Sequence, residues 1–305
     1  MAIVKTDVPM TYELCRRAIG DLTAKYPFLR TEVLTQTAQG RTLQTLVIGN
    51  GPRKVIYSAA WHANEWITTP ILLKFVEEFA EALVSGGKIF GIAANDLAAK
   101  ATIYTVPMVN PDGVDLVTDA IKQGQTAYQE AKAIADTFPA IPFPDGWKAN
   151  LNGVDLNLQF PAGWLRAREI KFLQGYNRPA PRDYVGRAPL TQRETKAMAG
   201  YTEYIDPALV LAYHTQGKEI YWSFMDYEVP DARRLGEKLA QVSGYTLTEP
   251  APNSSYAGYK DWFIKEFRRP AYTIEAGSGT NPLPLSQFDE IYRDNLGILV
   301  TAALG

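Results

Sequence analysis

The 305-residue chain contains two histidines, His62 and His214. His62 is followed at i+3 by Glu65 in the segment WHANEW, and His214 closes the apolar run ALVLAYH. Taken alone, each histidine reads as a structural or surface residue, and a His-x-x-Glu pair arises by chance in ordinary proteins. Together they have the donor types of a catalytic metal site. Two neutral imidazoles and one carboxylate cancel one of the two charges on Zn²⁺, leaving a cation that polarises a water or a carbonyl in its fourth position. Such chemistry needs a group that takes and returns a proton. By itself Glu275, at the end of AYTIE, reads as a solvated strand-end carboxylate or half of an ion pair. A serine hydrolase is excluded, because it would take one of only two histidines as its base and no G-x-S-x-G turn is present.

These residues fall at the ends of strand-like runs. KVIYSAA reads as a buried strand leading to WHANEW, and Thr69-Pro70 opens a helix on Ile71, Leu72, Phe75, Val76, Phe79 and Leu83. Before it, a first helix runs through Leu22, and TEVLTQT and TLQTLVIG flank Gln39-Gly40-Arg41 as a hairpin. ATIYTVPMVN is a strand ending at the turn Asn110-Pro111-Asp112-Gly113. From there to Pro189 the chain is rich in proline, glycine and aromatics with little periodicity, the pattern of a functional wall. Thr191-x-x-Glu194 and Ser286-x-x-Asp289 read as capping boxes, with ALVLAYH, EIYWSF and AYTIEA as strands and Asp231 to Val242 and DWFIKEF as helices. Strands alternating with helices after an early hairpin predict one α/β domain over residues 1–305, its mixed sheet covered on both faces. Ligands of such sheets gather at the carboxyl ends of the strands.

Composition supports this reading and removes others. With 46% hydrophobic and 21% charged residues, the chain has globular proportions, and 31 basic against 33 acidic residues without blocks of either sign exclude a nucleic-acid footprint. No run reaches the roughly 18 to 20 apolar residues that span a bilayer, so no membrane insertion is expected. The start MAIVKTDVPMTYE has no export signal, which as it stands predicts a cytoplasmic location, or a cell-wall or spore-associated one if the sequence is part of a longer product. The single cysteine, Cys15, sits on the apolar face of the first helix and reads as core.

GRTLQTLVIG, HANEWIT, VNPDG, NGVDLN, the strand ending in His214, DWF and the glutamate of TIEAGSG occur in that order. In these motifs the sequence resembles the zinc carboxypeptidase family of metallopeptidases. The resemblance implies an eight-stranded mixed sheet flanked by helices and one Zn²⁺ per chain held by His62, Glu65 and His214. It also implies Glu275 as general acid and base, Asp155 as the hydrogen-bond partner of the first zinc histidine, and Lys148 where the family has an arginine that meets the developing oxyanion. Read without the family, Lys148 is a surface lysine and Asp155 a turn cap.

The family's carboxypeptidases grip a terminal carboxylate with an Asn-Arg pair. Here Asn157 is kept and Leu158 replaces the arginine, so that clamp is lost, and Asn64 replaces a second arginine between the early zinc ligands. HANEWITTP and DLNLQFPAGW look most like the branch of bacterial γ-D-glutamyl-L-diamino-acid endopeptidases, which implies a muropeptide or stem-peptide substrate from peptidoglycan. A metallocarboxypeptidase or N-acyl amino acid deacylase of the same site architecture, and an inactive binding module, are the alternatives. Arg166, Arg168, Arg178, Arg182, Arg187 and Lys218 are candidates for substrate carboxylates, and Tyr256, in competition with Tyr259, for a substrate-contacting tyrosine. Trp147, Phe160 and Trp164 are read as cleft lining or core.

Overall fold

The computed structural model describes residues 2–305. Helix α1 (Tyr12–Lys25) is capped by Thr11, whose hydroxyl accepts the amide of Leu14, and it buries Cys15, Ala18, Ile19 and Leu22. A hairpin of β1 (Val33–Gln36) and β2 (Thr42–Gln44) follows, then β3 (Leu46–Gly49) and β4 (Arg53–Ser58). The chain passes through His62 into α2 (Thr68–Ser85), a short ribbon of β5 (Lys88–Ile89) and β6 (Ile92–Ala93), α3 (Ala94–Lys100) and β7 (Ala101–Val106). Helices α4 (Pro111–Val117), α5 (Thr126–Ala135) and α6 (Trp164–Leu173) punctuate the stretch that the sequence reads as irregular. The last third holds α7 (Arg193–Ile205), β8 (Leu209–His214), β9 (Glu219–Tyr221) and α8 (Ala232–Ser243). It closes with β10 (Thr246–Thr248), α9 (Tyr259–Phe267), β11 (Ala271–Glu275) and α10 (Phe288–Leu304).

The main sheet has seven strands in the order β10-β9-β11-β8-β4-β7-β3. Its centre is parallel, since β4 runs with β7 and β8, and β8 with β11, while β3 and β9 run against their neighbours β7 and β11. Alternation along β4 feeds both faces. Val55 and Tyr57 pack with Phe75, Phe79 and Ile298 of α2 and α10, whereas Ile56 packs with Met198 and Phe263 of α7 and α9.

The expectation of eight strands is corrected to seven. TLQTLVIG does not run through as one strand but breaks at Thr45. Thr45 donates its amide to Glu32 O at 2.9 Å, and its hydroxyl accepts the amide of Glu32 at 3.0 Å. The β1–β2 hairpin therefore leaves the sheet as a separate ribbon, and beyond β3 only the Arg30–Val47 bridge extends the ladder.

Three local expectations also change. Asn110-Pro111-Asp112-Gly113 begins helix α4, with Pro111 in its first turn and Asn110 capping Gly113 N at 3.1 Å, instead of forming an isolated turn. Thr191 does not cap α7, whose N-cap is Gln192, because its hydroxyl is held by Gln159 Oε1 at 2.9 Å. The last helix starts at Phe288 after a 3₁₀ turn over Leu285–Gln287, without a Ser286 cap.

Candidate metal centre

Register alone puts His214 beside Glu275. They are paired positions on the adjacent parallel strands β8 and β11, so both side chains leave the same face of the sheet at its carboxyl edge. His62 and Glu65 arrive from the next strand along, β4, through Ala60, whose φ of 48° turns the chain, and the 3₁₀ turn Ala63–Glu65. Beneath them lies an aromatic floor. Trp61 is fully buried, its indole N–H donating to Ser58 Oγ at 3.0 Å, and it packs on Phe160 and Tyr259 with ring centroids 5.7 and 4.9 Å away.

Asn110 ties the remaining loop to this floor. Its amide donates to Trp61 O and Lys148 O, each at 3.3 Å, and to Ala149 O at 3.0 Å, while Ala63 N donates to Lys148 O at 3.0 Å. Gly113 is needed for this approach. A Cβ there would stand 2.6 Å from Ala149 O and 2.8 Å from the Ala63 methyl. Arg41, from the hairpin, braces the same helix by pairing with Asp112 at 3.0 Å and Asp115 at 2.7 Å.

The donor atoms converge. His62 Nδ1 lies 3.0 Å from Glu65 Oε1 and 3.2 Å from His214 Nδ1, and His214 Nδ1 lies 2.9 Å from Glu65 Oε2. His62 Nε2 is 3.1 Å from Asp155 Oδ1, so its N–H belongs to that carboxylate and the bare Nδ1 lone pair is turned toward Glu65 and His214. Lone pairs of two imidazoles and a carboxylate facing one another fit a cation, and the N₂O donor set suits Zn²⁺. His214 Nε2, on the far side of that ring, is buried without a partner.

Electrostatics follow the same geometry. Burial alone would depress His62, but the Glu65 and Asp155 carboxylates outweigh it and push the imidazole up to about 9, so a cation entering the cluster takes the place of a proton on Nδ1. Burial dominates at His214 and lowers it. Glu65 resists burial and is held well below the carboxylate range by His62 and Lys148, whose Nζ lies 2.8 Å from Glu65 Oε1. Burial pushes Glu275 up, and the nearby Glu65 charge adds to it, to about 8. A carboxyl whose proton affinity is raised toward neutrality is a stronger base when ionised and can act as an acid once protonated.

Above the cluster opens a cavity of about 770 Å³. Of the residues singled out in the sequence, His62, Lys148, Asp155, Asn157, Tyr256 and Glu275 line it. Tyr259 does not, being buried with its hydroxyl 2.7 Å from Thr202 Oγ1, and Trp147, Phe160 and Trp164 are core residues. Arg182 alone among the arginine candidates lines the cavity. Arg166 pairs with Glu169, Arg168 and Arg178 lie over the rings of Phe172 and Phe138, Arg187 is exposed, and Lys218 pairs with Glu290 and Asp294.

Sequence reasoning missed Asn281 and Lys260. Asn281 bonds Thr215 and reaches Glu65 Oε1 at 3.5 Å. Lys260 lines the cavity although only 4% exposed, its Nζ donating to Ser223 O at 2.5 Å and Asp261 Oδ1 at 2.6 Å. The available signal was a lysine immediately before the Asp-Trp that opens an amphipathic helix.

Two histidines and a glutamate gathered at the carboxyl edge of a mixed sheet, with a second glutamate in register beside them, define a mononuclear metallohydrolase. The chain belongs to the zinc carboxypeptidase family, whose model matches residues 15–297, and it is a zinc metallopeptidase. It is similar to γ-D-glutamyl-L-diamino acid endopeptidase 1 of Lysinibacillus sphaericus, with 45% identity over 95% of this chain and 71% of that protein. Uncharacterized protein YqgT of Bacillus subtilis is 37% identical over 90% of this chain and 72% of its own length. Among solved structures, bovine thrombin-activatable fibrinolysis inhibitor shares the fold with a TM-score of 0.73 at 16% identity, covering 98% of this chain and 97% of that one. Murein-tripeptide amidase MpaA from Escherichia coli O157 shares it with a TM-score of 0.53 at 21% identity, covering 89% and 91%. No described helix is long and apolar enough to cross a membrane.

Proposed function

We propose that this protein hydrolyses the bond between the γ-carboxyl of D-glutamate and a diamino acid in peptidoglycan stem peptides, with zinc held by His62, Glu65 and His214. The observation that carries the reading is the 45% identity, over 95% of this chain, to an enzyme named for that bond. The cavity supports it. Leu158 supplies no cation for a terminal carboxylate, whereas Arg182 lines the space from another wall, suiting a substrate with a carboxylate in an unusual place.

When bound, Zn²⁺ supplies Lewis-acid activation of water and of the scissile carbonyl. Asp155 accepts the His62 Nε2 proton and so keeps Nδ1 free as a donor. Glu275 takes a proton from the attacking water on a carboxylate oxygen and delivers it to the nitrogen of the leaving amine. Lys148 Nζ, freed from Glu65, donates to the carbonyl oxygen as charge develops on it. Lysine serves there as a point charge without the planar fork of arginine.

The test is a mass-spectrometric digest of L-Ala-γ-D-Glu-meso-diaminopimelate and of an ordinary α-linked peptide by the zinc-loaded protein and by Glu275→Gln. Release of diaminopimelate from the first substrate alone, abolished in the variant, is the expected result. Cleavage of only the α-peptide would refute the substrate and leave the metal centre.

A further inference from the structure

Of the five arginines between Leu158 and Thr191, Arg182 alone faces the cavity, and its backbone is fixed. Pro181 O accepts the amides of Lys148 at 2.7 Å and Ala149 at 2.9 Å, Asp183 N donates to Asp155 Oδ2 at 3.3 Å, and Asp155 N donates to Tyr184 O at 2.9 Å. The guanidinium thus hangs from the same stitched loops that carry Lys148 and Asp155. Its Nε donates to Asp183 Oδ2 at 2.7 Å, while Lys171 takes the other oxygen of that carboxylate at 2.5 Å. One carboxylate answers two cations. Neither Nη group of Arg182 has a partner among the described residues, and the side chain keeps 39% exposure.

Strand order locates this free fork relative to the reaction. Along the carboxyl edge run Glu219 of the antiparallel β9, Glu275 of β11, His214 of β8 and then His62 beyond β4. Asn110, which follows β7, stitches the Lys148 loop to the β4 side, and the Lys148 loop in turn holds Arg182. Glu275 returns its proton to the leaving amine, so the amine half of the substrate lies over β11 and β9, and the acyl half lies toward Arg182. A residue linked through its γ-carboxyl differs from an α-linked one on that acyl side. It carries a free α-carboxylate a short methylene spacer away from the scissile carbonyl.

We infer that Arg182 is a specificity-determining residue that grips this α-carboxylate with its unpaired Nη groups, in the bidentate geometry for which a guanidinium is suited. The inference rests on the γ-glutamyl reading proposed above. It is tested by the kcat/KM of zinc-loaded wild type, Arg182→Gln and Arg182→Lys on two substrates. One is L-Ala-γ-D-Glu-meso-diaminopimelate, and the other is its counterpart with the α-carboxyl of D-glutamate amidated. Wild type is expected to prefer the acid by about 10- to 100-fold, chiefly in KM. Arg182→Gln should lose that preference, and Arg182→Lys should keep part of it. A merely structural role lowers both substrates alike, so an unchanged preference in Arg182→Gln would overturn the assignment while leaving the γ-glutamyl reading intact. Equal wild-type rates on acid and amide would also overturn it. Failure of wild type to cleave either γ-linked substrate would overturn the reading itself and the assignment with it.

Discussion

His214 and Glu275 hold paired positions on neighbouring parallel strands at the base of the cavity, so backbone ladder bonds set their separation. Asn157, Lys171, Arg182 and Tyr256 face the same cavity from segments outside the sheet. That wall is held by a few buried polar side chains. Gln159 donates to Ala188 O at 3.0 Å and to Val185 O, and it accepts from the amide and the hydroxyl of Thr191, both at 2.9 Å. A floor made by the ladder tolerates changes in side chains around it, whereas a wall made by single amides fails when one is lost. On the function proposed above, the floor fixes the reaction, and the wall the bond that is cut.

The comparison can be broken first at the floor. Chelation of the metal should abolish hydrolysis and added Zn²⁺ should restore it; a rate that survives full chelation, checked by metal analysis, contradicts the site. Glu275→Gln should lower kcat by roughly 10²- to 10⁴-fold with zinc content and KM held. Asp155→Ala removes the acceptor that orients His62, and titration with a competing chelator should read zinc binding weakened about 10- to 100-fold.

Changes in the wall should act differently. Gln159→Leu leaves several wall groups unpaired, costing about 1–3 kcal/mol in denaturant unfolding, and should raise KM while kcat and zinc stoichiometry hold. If kcat falls as far as kcat/KM, floor and wall are not separable.

The smallest effect on the reaction is expected at Glu194, in the first turn of α7. Burial, with the Asp112 charge adding to it, pushes this carboxyl up to about 7 from 4.5. Between those values the folded protein keeps a proton that the unfolded chain has released. Stability on this account is greatest below about pH 4.5 and falls as pH rises toward about 7. Glu194→Gln should flatten that slope by about 1–3 kcal/mol in unfolding measured at both pH values, with little change in hydrolysis.

The floor was legible in the sequence, whereas of the wall only Asn157 and Tyr256 stood out, for a physical reason. A buried parallel strand leaves a dense apolar run, so ALVLAYH and AYTIE announced both the strands and the residues at their ends. Arg182 could not be told from four other arginines, because what separates them is a set of backbone bonds to Lys148, Ala149 and Asp155 far away in sequence. Thr191 and Ser286 carried the right spacing for capping boxes, yet Thr191 is taken by Gln159 and α10 begins after a 3₁₀ turn. The eighth strand was lost at Thr45, where a hydroxyl competes with the ladder for the amide of Glu32.

The account is tested most directly by kcat/KM for two isomers of one D-Glu-meso-diaminopimelate peptide, linked through the γ- or the α-carboxyl, on the zinc-loaded protein. A preference of about 100-fold or more for the γ-linked isomer is predicted. Equal rates, or a preference for the α-linked isomer, would contradict a wall built for the γ-glutamyl bond.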